Sequence, residues 1–163
     1  MVANKVAVVM GSISDWPTMK LTCQQLEQLG IAYEKRVISA HRMPDELQDF
    51  GQKARESEIK VIIAGAGGAA HLPGMLAANT TLPVIGVPIK TRTLNGIDSL
   101  LSIVQMPAGA PVATVSIGDA GAKNAAILAA QILGVTDETL QQKLADLKEE
   151  QRVEAIKSEA RFD

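Results

Sequence analysis

Unbroken apolar runs, each closed by glycine or proline and followed by a stretch of helical spacing, set the pattern of this chain. Residues 6–10, "VAVVM", make the first run and end at Gly11, the signature of a parallel strand buried on both faces. In "DWPTMKLTCQQLEQLG" (15–30), Met19, Leu21, Leu26 and Leu29 recur at roughly helical spacing, with Asp15 as the predicted N-cap and Gly30 as the stop. "IAYEKRVIS" is a second strand of less regular pattern. "PDELQDFGQKARES" is a second helix with Pro44 near its first position. "KVIIAGAGG" is a third, buried strand with a glycine-rich exit. "LPGMLAANT" predicts a short helix and "PVIGVP" a fourth strand. "GIDSLLSIVQM" (96–106) predicts a helical turn or two capped by Asp98, "PVATVSIG" a fifth strand, and "DAGAKNAAILAAQILG" an alanine-rich helix stopped by Gly134.

Strands alternating with helices throughout, with no internal repeat, argue for an α/β domain with a parallel sheet and right-handed crossovers. Residues 1–135 make one such domain. Residues 136–163 form a charged helix whose apolar positions reduce to one stripe, Leu140, Leu144 and Leu147. A stripe that narrow is poorly supported by its own domain. Docking on a neighbouring subunit is expected, with a frayed surface helix as the alternative.

Composition narrows the function. Of 163 residues, 47% are hydrophobic but only 2% aromatic, so the core is aliphatic and almost no aromatic is available to stack on bases. The net charge is −2, without a basic block, so a nucleic-acid partner is not expected. The single cysteine, Cys23, excludes an internal disulfide and any multi-cysteine metal site. The opening apolar run is too short for a secretion signal, and nothing approaches a membrane span; a cytoplasmic location is expected.

Both histidines in the chain, His41 and His71, fall in turns that follow predicted strands. In parallel sheets, ligands bind beyond the carboxyl ends of the strands. "SAHR" (39–42) joins Ser39, the titratable His41 and the cationic Arg42, a set suited to phosphate and proton transfer; a solvent-exposed loop histidine is the alternative. In "MGSISD" (10–15), Ser12 and Ser14 add hydroxyls to the free N–H groups of a helix start, an anion site, while Asp15 suits a ribose hydroxyl. Simple helix capping by these residues remains open at this point. "AGAGGAAH" (64–71) places small residues at every position before His71, so a ligand approaches the backbone closely there. His71 either orients that ligand or caps the third helix.

The same segment formally fits G-x-G-x-x-A, but it follows the third strand rather than the first, and no acidic residue ends the next strand to hold a ribose. A zinc site would need carboxylates recruited from elsewhere. The sequence lacks a G-x-S-x-G serine-hydrolase elbow, and a response regulator would need an aspartate where the third strand ends in alanine and glycine.

Taken in order, "VMGSISDWPTM", "SAHRMPDEL", "AGAGGAAHLPGM", "GVP" and "DSLLSIVQMPAGAPVATVSIG" resemble the bacterial class I PurE family, the N5-carboxyaminoimidazole ribonucleotide mutases of purine biosynthesis. The resemblance runs over residues 5–134; one departure is Met43, where threonine is common. It implies a flavodoxin-like three-layer αβα sandwich, a homo-octamer, a small ribonucleotide substrate, and no metal or organic cofactor. It also implies transient contact with the upstream ATP-dependent carboxylating enzyme. Residue by residue it assigns His41 as catalytic acid/base and Ser12, Asp15, Ser39 and Arg42 as substrate-binding, to which the anion-site reading of the helix start adds Ser14. Gly67, Gly68, Ala70, His71 and Leu72 become the wall around the imidazole ring and the migrating carboxylate. A direct aminoimidazole ribonucleotide carboxylase and a non-catalytic phosphosugar-binding module are the rival readings.

Overall fold

In a computed structural model describing residues 5–162, the apolar runs become the inner strands of one parallel sheet. Residues 1–4 and 163, the outer ends of the two segments drawn from sequence, lie outside the described residues. The elements in order are β1 (Val6–Met10), a 3₁₀ turn (Ile13–Asp15), α1 (Trp16–Leu29), β2 (Tyr33–Val37), α2 (Pro44–Lys53), β3 (Val61–Ala66) and α3 (Leu72–Asn79). They continue with β4 (Val84–Pro88), α4 (Ile97–Val104), β5 (Ala113–Thr114), α5 (Asp119–Gly134), α6 (Glu138–Ser158) and a closing 3₁₀ turn, Glu159–Arg161. The strand order is β2-β1-β3-β4-β5, all parallel, which is the flavodoxin-like order.

Alternation along each strand sorts the core into two layers. Val6, Val8, Met10, Ile63 and Ile85 face α1 and α5. Ala7, Val9, Ile62, Ala64 and Val84 face Leu47 and Phe50 of α2, Leu72 and Leu76 of α3 and Ile103 of α4. β1, β3 and β4 are buried along their whole length, which is why they read as continuous apolar runs. β2 is an edge strand, and its exposed Lys35 and Arg36 guard that edge against pairing with another chain.

The near absence of aromatic residues is met by close approach. On α5, Ala122, Ala125, Ala126, Ala129 and Ala130 are all fully buried. The helix therefore lies tight on the sheet and on α1, where buried Thr22 donates from Oγ1 to the Ala122 carbonyl at 2.7 Å. At the start of α5, Gly121 sits against the Ser116 carbonyl, where a Cβ would overlap backbone.

Four local expectations are corrected. Asp15 stands at the N-cap position of α1 as expected but makes no side-chain cap bond there, because its carboxylate closes the preceding 3₁₀ turn instead. Gly96, not Asp98, is the N-cap of α4, and Asp98 Oδ1 accepts from the Thr91 hydroxyl at 2.6 Å. The second helix stops at Lys53, short of Ser57. The fifth strand pairs over only Ala113 and Thr114, bounded upstream by Pro107 and Pro111.

The leucine stripe of α6 also finds a partner that the sequence did not indicate. Leu140 is buried in the chain's own core, with Leu144 and Leu147 packed against it. Lys143 Nζ donates to the Leu29 carbonyl at 2.9 Å and so closes the end of α1. Beyond Leu147 the helix is almost entirely exposed, and Ile156 and Phe162 stand in solvent.

Gly121→Ala is expected to lower stability by roughly 1–3 kcal/mol or more, because the added methyl must displace backbone rather than a flexible side chain. Chemical denaturation checks this, and an unchanged midpoint would mean that the α5 start does not sit this tightly on Ser116.

Candidate functional site

Because all five strands run the same way, the turns after β1, β2, β3 and β4 open on one edge of the sheet. There they line a single cleft of about 580 Å³. β2 and β3 flank β1 on opposite sides, so their exits lie about 10 Å apart at ordinary strand spacing. Two imidazoles bridge that gap: His41 Nε2 lies 2.8 Å from His71 Nδ1, with the rings edge-on, 4.9 Å between centroids. One of these nitrogens donates and the other accepts, and His41 Nδ1 is left for a ligand. His71 stands at the N-cap position of α3 but makes no side-chain cap bond. Its ring serves His41 instead.

The two ends of "SAHR" work together as well. Arg42 Nε donates to Ser39 Oγ at 3.0 Å, which fixes the plane of the guanidinium and leaves its terminal nitrogens for an anion. No ion pair among the described residues engages Arg42.

In the β1 turn, Ser12 Oγ accepts from both the Ser14 N–H and the Ser14 hydroxyl, at 3.3 and 3.0 Å. The Ser14 hydrogen is thereby used internally, whereas the Ser12 hydrogen is free to reach a ligand. The Ser12 N–H donates to Asp15 Oδ2 at 3.1 Å. Asp15 is buried, and that burial pushes its carboxyl above the usual carboxylate range. The backbone N–H groups of Ser12 and Gly11 work in the opposite direction.

The third wall is the exit of β3. Gly67, Gly68, His71 and Leu72 line the cleft as expected from sequence, but Ala70 does not. Gly68 has φ +69°, a left-handed turn that carries Ala69 to the cleft and sends Ala70 into the core beneath it, where it is buried. The fourth wall, Ile89 to Arg92 after β4, was missed in sequence. Nothing in "PIKTR" marks a site, and only the position of β4 beside β3 places it there. Lys90 and Arg92 are exposed and, like Arg42, enter no ion pair among the described residues. The cleft thus carries three cations against one buried carboxyl, which suits a ligand with more than one negative charge. Among the described residues no group of three or more His, Cys, Asp or Glu side chains is placed to hold a metal ion.

Comparison with known proteins places these residues in a wider setting. The family model described as AIR carboxylase matches residues 5–154. A Bacillus subtilis (strain 168) protein named N5-carboxyaminoimidazole ribonucleotide mutase is 61% identical over 153 residues, which are 94% of each chain. An Escherichia coli (strain K12) protein of the same name is 54% identical over 94% of this chain and 91% of its own. The crystal structure of Treponema denticola PurE superposes with a TM-score of 0.87 at 26% identity, covering 97% of this chain and 98% of that one.

The raised Asp15 carboxyl has a stability consequence of definite sign. A group whose folded-state value exceeds its unfolded one favours folding at low pH and opposes it once pH rises past the folded value. Asp15→Asn is therefore expected to match or exceed the wild-type thermal midpoint at neutral pH, with the difference shrinking toward about pH 4. A variant less stable at neutral pH, with a gap that widens in acid, would contradict this.

Proposed function

The chain belongs to the AIR carboxylase family, and from that premise we propose that it converts N5-carboxyaminoimidazole ribonucleotide to 4-carboxy-5-aminoimidazole ribonucleotide. The observation that carries the reading is the placement of His41. It is oriented by His71 and lies in one cleft with an anion-binding guanidinium and a backbone-lined wall.

The chemistry follows from these parts. The phosphate binds the free nitrogens of Arg42 and the Ser12 hydroxyl, and Asp15 takes a ribose hydroxyl. Ser39 and Ser14 hold those donors in position. His41 delivers a proton to the exocyclic nitrogen as the C–N bond of the carbamate breaks, leaving neutral aminoimidazole ribonucleotide and carbon dioxide. Ring carbon 4 then attacks the retained carbon dioxide. Removal of the carbon 4 proton, back to His41, restores the aromatic ring. One imidazole suffices because the proton given in the first step is recovered in the last. His71 keeps the ring of His41 in one orientation through both steps. The wall from Gly67 to Leu72 faces the carboxyl group with little side-chain motion.

Exposed apolar side chains support assembly into the octamer that the sequence resemblance implies. Ile97, Leu101 and Val104 form an exposed stripe along α4, Leu94 is exposed in the turn before it, and most of α6 beyond Leu147 is exposed. Further copies of the chain would cover these surfaces. A cytoplasmic setting, with substrate received from an ATP-dependent carboxylating enzyme, completes the proposal. Among the described residues no helix is long and apolar enough to cross a membrane.

Incubation with the N5-carboxy compound, against aminoimidazole ribonucleotide plus bicarbonate, tests the assignment. Conversion of the first alone is expected. Preference for the second would make the protein a direct carboxylase, and binding without turnover would make it a phosphosugar-binding module. His41→Asn should reduce turnover by about 10²–10⁴ while binding of the product ribonucleotide stays within roughly tenfold; near-normal turnover would remove His41 from catalysis. Arg42→Ala should raise KM by about tenfold to a hundredfold through loss of a charge-assisted fork. An unchanged KM would place the phosphate elsewhere.

A further inference from the structure

Two serines on α4 reach the same glycine of the wall. Ser99 Oγ accepts from the Gly68 N–H at 2.9 Å and donates to the Ile89 carbonyl at 2.7 Å. Ser102, one turn further on, shares its hydroxyl hydrogen between the Gly68 carbonyl at 3.1 Å and the Asp98 carbonyl at 2.7 Å. Both the N–H and the carbonyl of Gly68 are therefore held by one helix. Ser99 is fully buried, and neither serine lines the cleft. The residues they steady do line it: Gly67, Gly68 and Ala69 form the wall, and Ile89 begins the adjoining one.

A left-handed glycine with φ +69° between small neighbours has many alternative conformations, and no side chain of its own holds it in place. The same smallness that lets a ligand approach the backbone also leaves the wall free to move. The α4 serines supply the restraint that the glycine-rich sequence lacks. A structural cap would need only one of these bonds; here Gly68 is gripped on both polar groups, and Ser99 ties the β3 exit to the β4 exit.

We propose that Ser99 and Ser102 are positioning residues for the carboxyl transfer. They keep the Gly68 peptide fixed during the interval in which carbon dioxide is bound to neither nitrogen nor carbon. The inference rests on the mutase reading above. In that interval the C–N bond is broken, the proton sits on the exocyclic nitrogen, and the C–C bond has not formed. A wall that loosens lets carbon dioxide leave, and the enzyme then releases aminoimidazole ribonucleotide rather than the 4-carboxy product.

The test uses the full-length protein and N5-carboxy substrate carrying ¹³C in the carbamate, with unlabelled bicarbonate in the buffer and an enzyme-free control for spontaneous decay. The readouts are label retained in the product and aminoimidazole ribonucleotide released per turnover. The wild type is expected to retain its label. Ser99→Ala and Ser102→Ala are expected to lose a several-fold larger fraction and to release correspondingly more aminoimidazole ribonucleotide, with KM within about twofold. Ser102→Thr, which keeps the hydroxyl, should restore retention. Ser102 is only partly buried, so Ser102→Ala carries the test if Ser99→Ala does not fold. Alanine variants that are slower but retain label as the wild type does would overturn the inference, since a purely structural role lowers rate without uncoupling it. A wild type that forms no 4-carboxy product would instead overturn the mutase reading, and this inference with it.

Discussion

β1 is hydrogen-bonded on both sides, to β2 and to β3, and the site depends on that double pairing. The chain leaves β1, returns as β2 on one side, then crosses to β3 on the other. The crevice at such a reversal lies beyond the carboxyl end of the central strand, and both flanking turns reach into it. His41 comes from one flank and His71 from the other, and their contact closes the bridge over β1. Had β2 and β3 lain on the same side of β1, their exits would adjoin at one strand spacing and no crevice would open over β1 for the imidazoles to span.

The polar groups around that bridge divide into those aimed at a ligand and those that hold others in place. Arg42, the Ser12 hydroxyl and His41 Nδ1 keep unfilled hydrogen-bonding capacity toward the cleft. Ser39, Ser14 and His71 use theirs on those three. The carboxyl of Asp15 is the one buried acid at the cleft, and its two backbone donors offset only part of the desolvation. Burying a charged group that is only partly compensated works against folding. Its retention fits a group kept to meet a hydroxyl of the substrate.

Much of this was legible in the sequence because the inner strands are buried on both faces. An unbroken run such as "VAVVM" or "VIIAGA" has few other interpretations when helices flank it. The turns that follow them could therefore be placed on one edge, and Ser12, Asp15, Ser39, His41, Arg42 and His71 with them. What escaped depended on three-dimensional detail that no local pattern encodes. Ala70 and Ala69 are chemically the same residue, and only the left-handed Gly68 decides which one meets the cleft. Lys90 and Arg92 carry no turn signature, and sheet order alone brings them in. The leucine stripe of α6 showed amphipathicity but not its partner, which is the chain's own α1 and α5 surface. The bond between the histidines spans 30 positions and follows only from the crossover around β1.

The central claim is that four strand exits form one site with a fixed polarity: phosphate at Arg42 and Ser12, carboxylate at the Gly67–Leu72 wall, and His41 between them. A crystal structure of the protein soaked with 4-carboxy-5-aminoimidazole ribonucleotide tests this most directly. The account predicts the phosphate within hydrogen-bond distance of the Arg42 guanidinium, the carboxylate against the backbone of the glycine wall, and His41 Nδ1 facing ring carbon 4 or the exocyclic nitrogen. A ligand bound with its phosphate on the glycine wall, or outside this cleft, would contradict it.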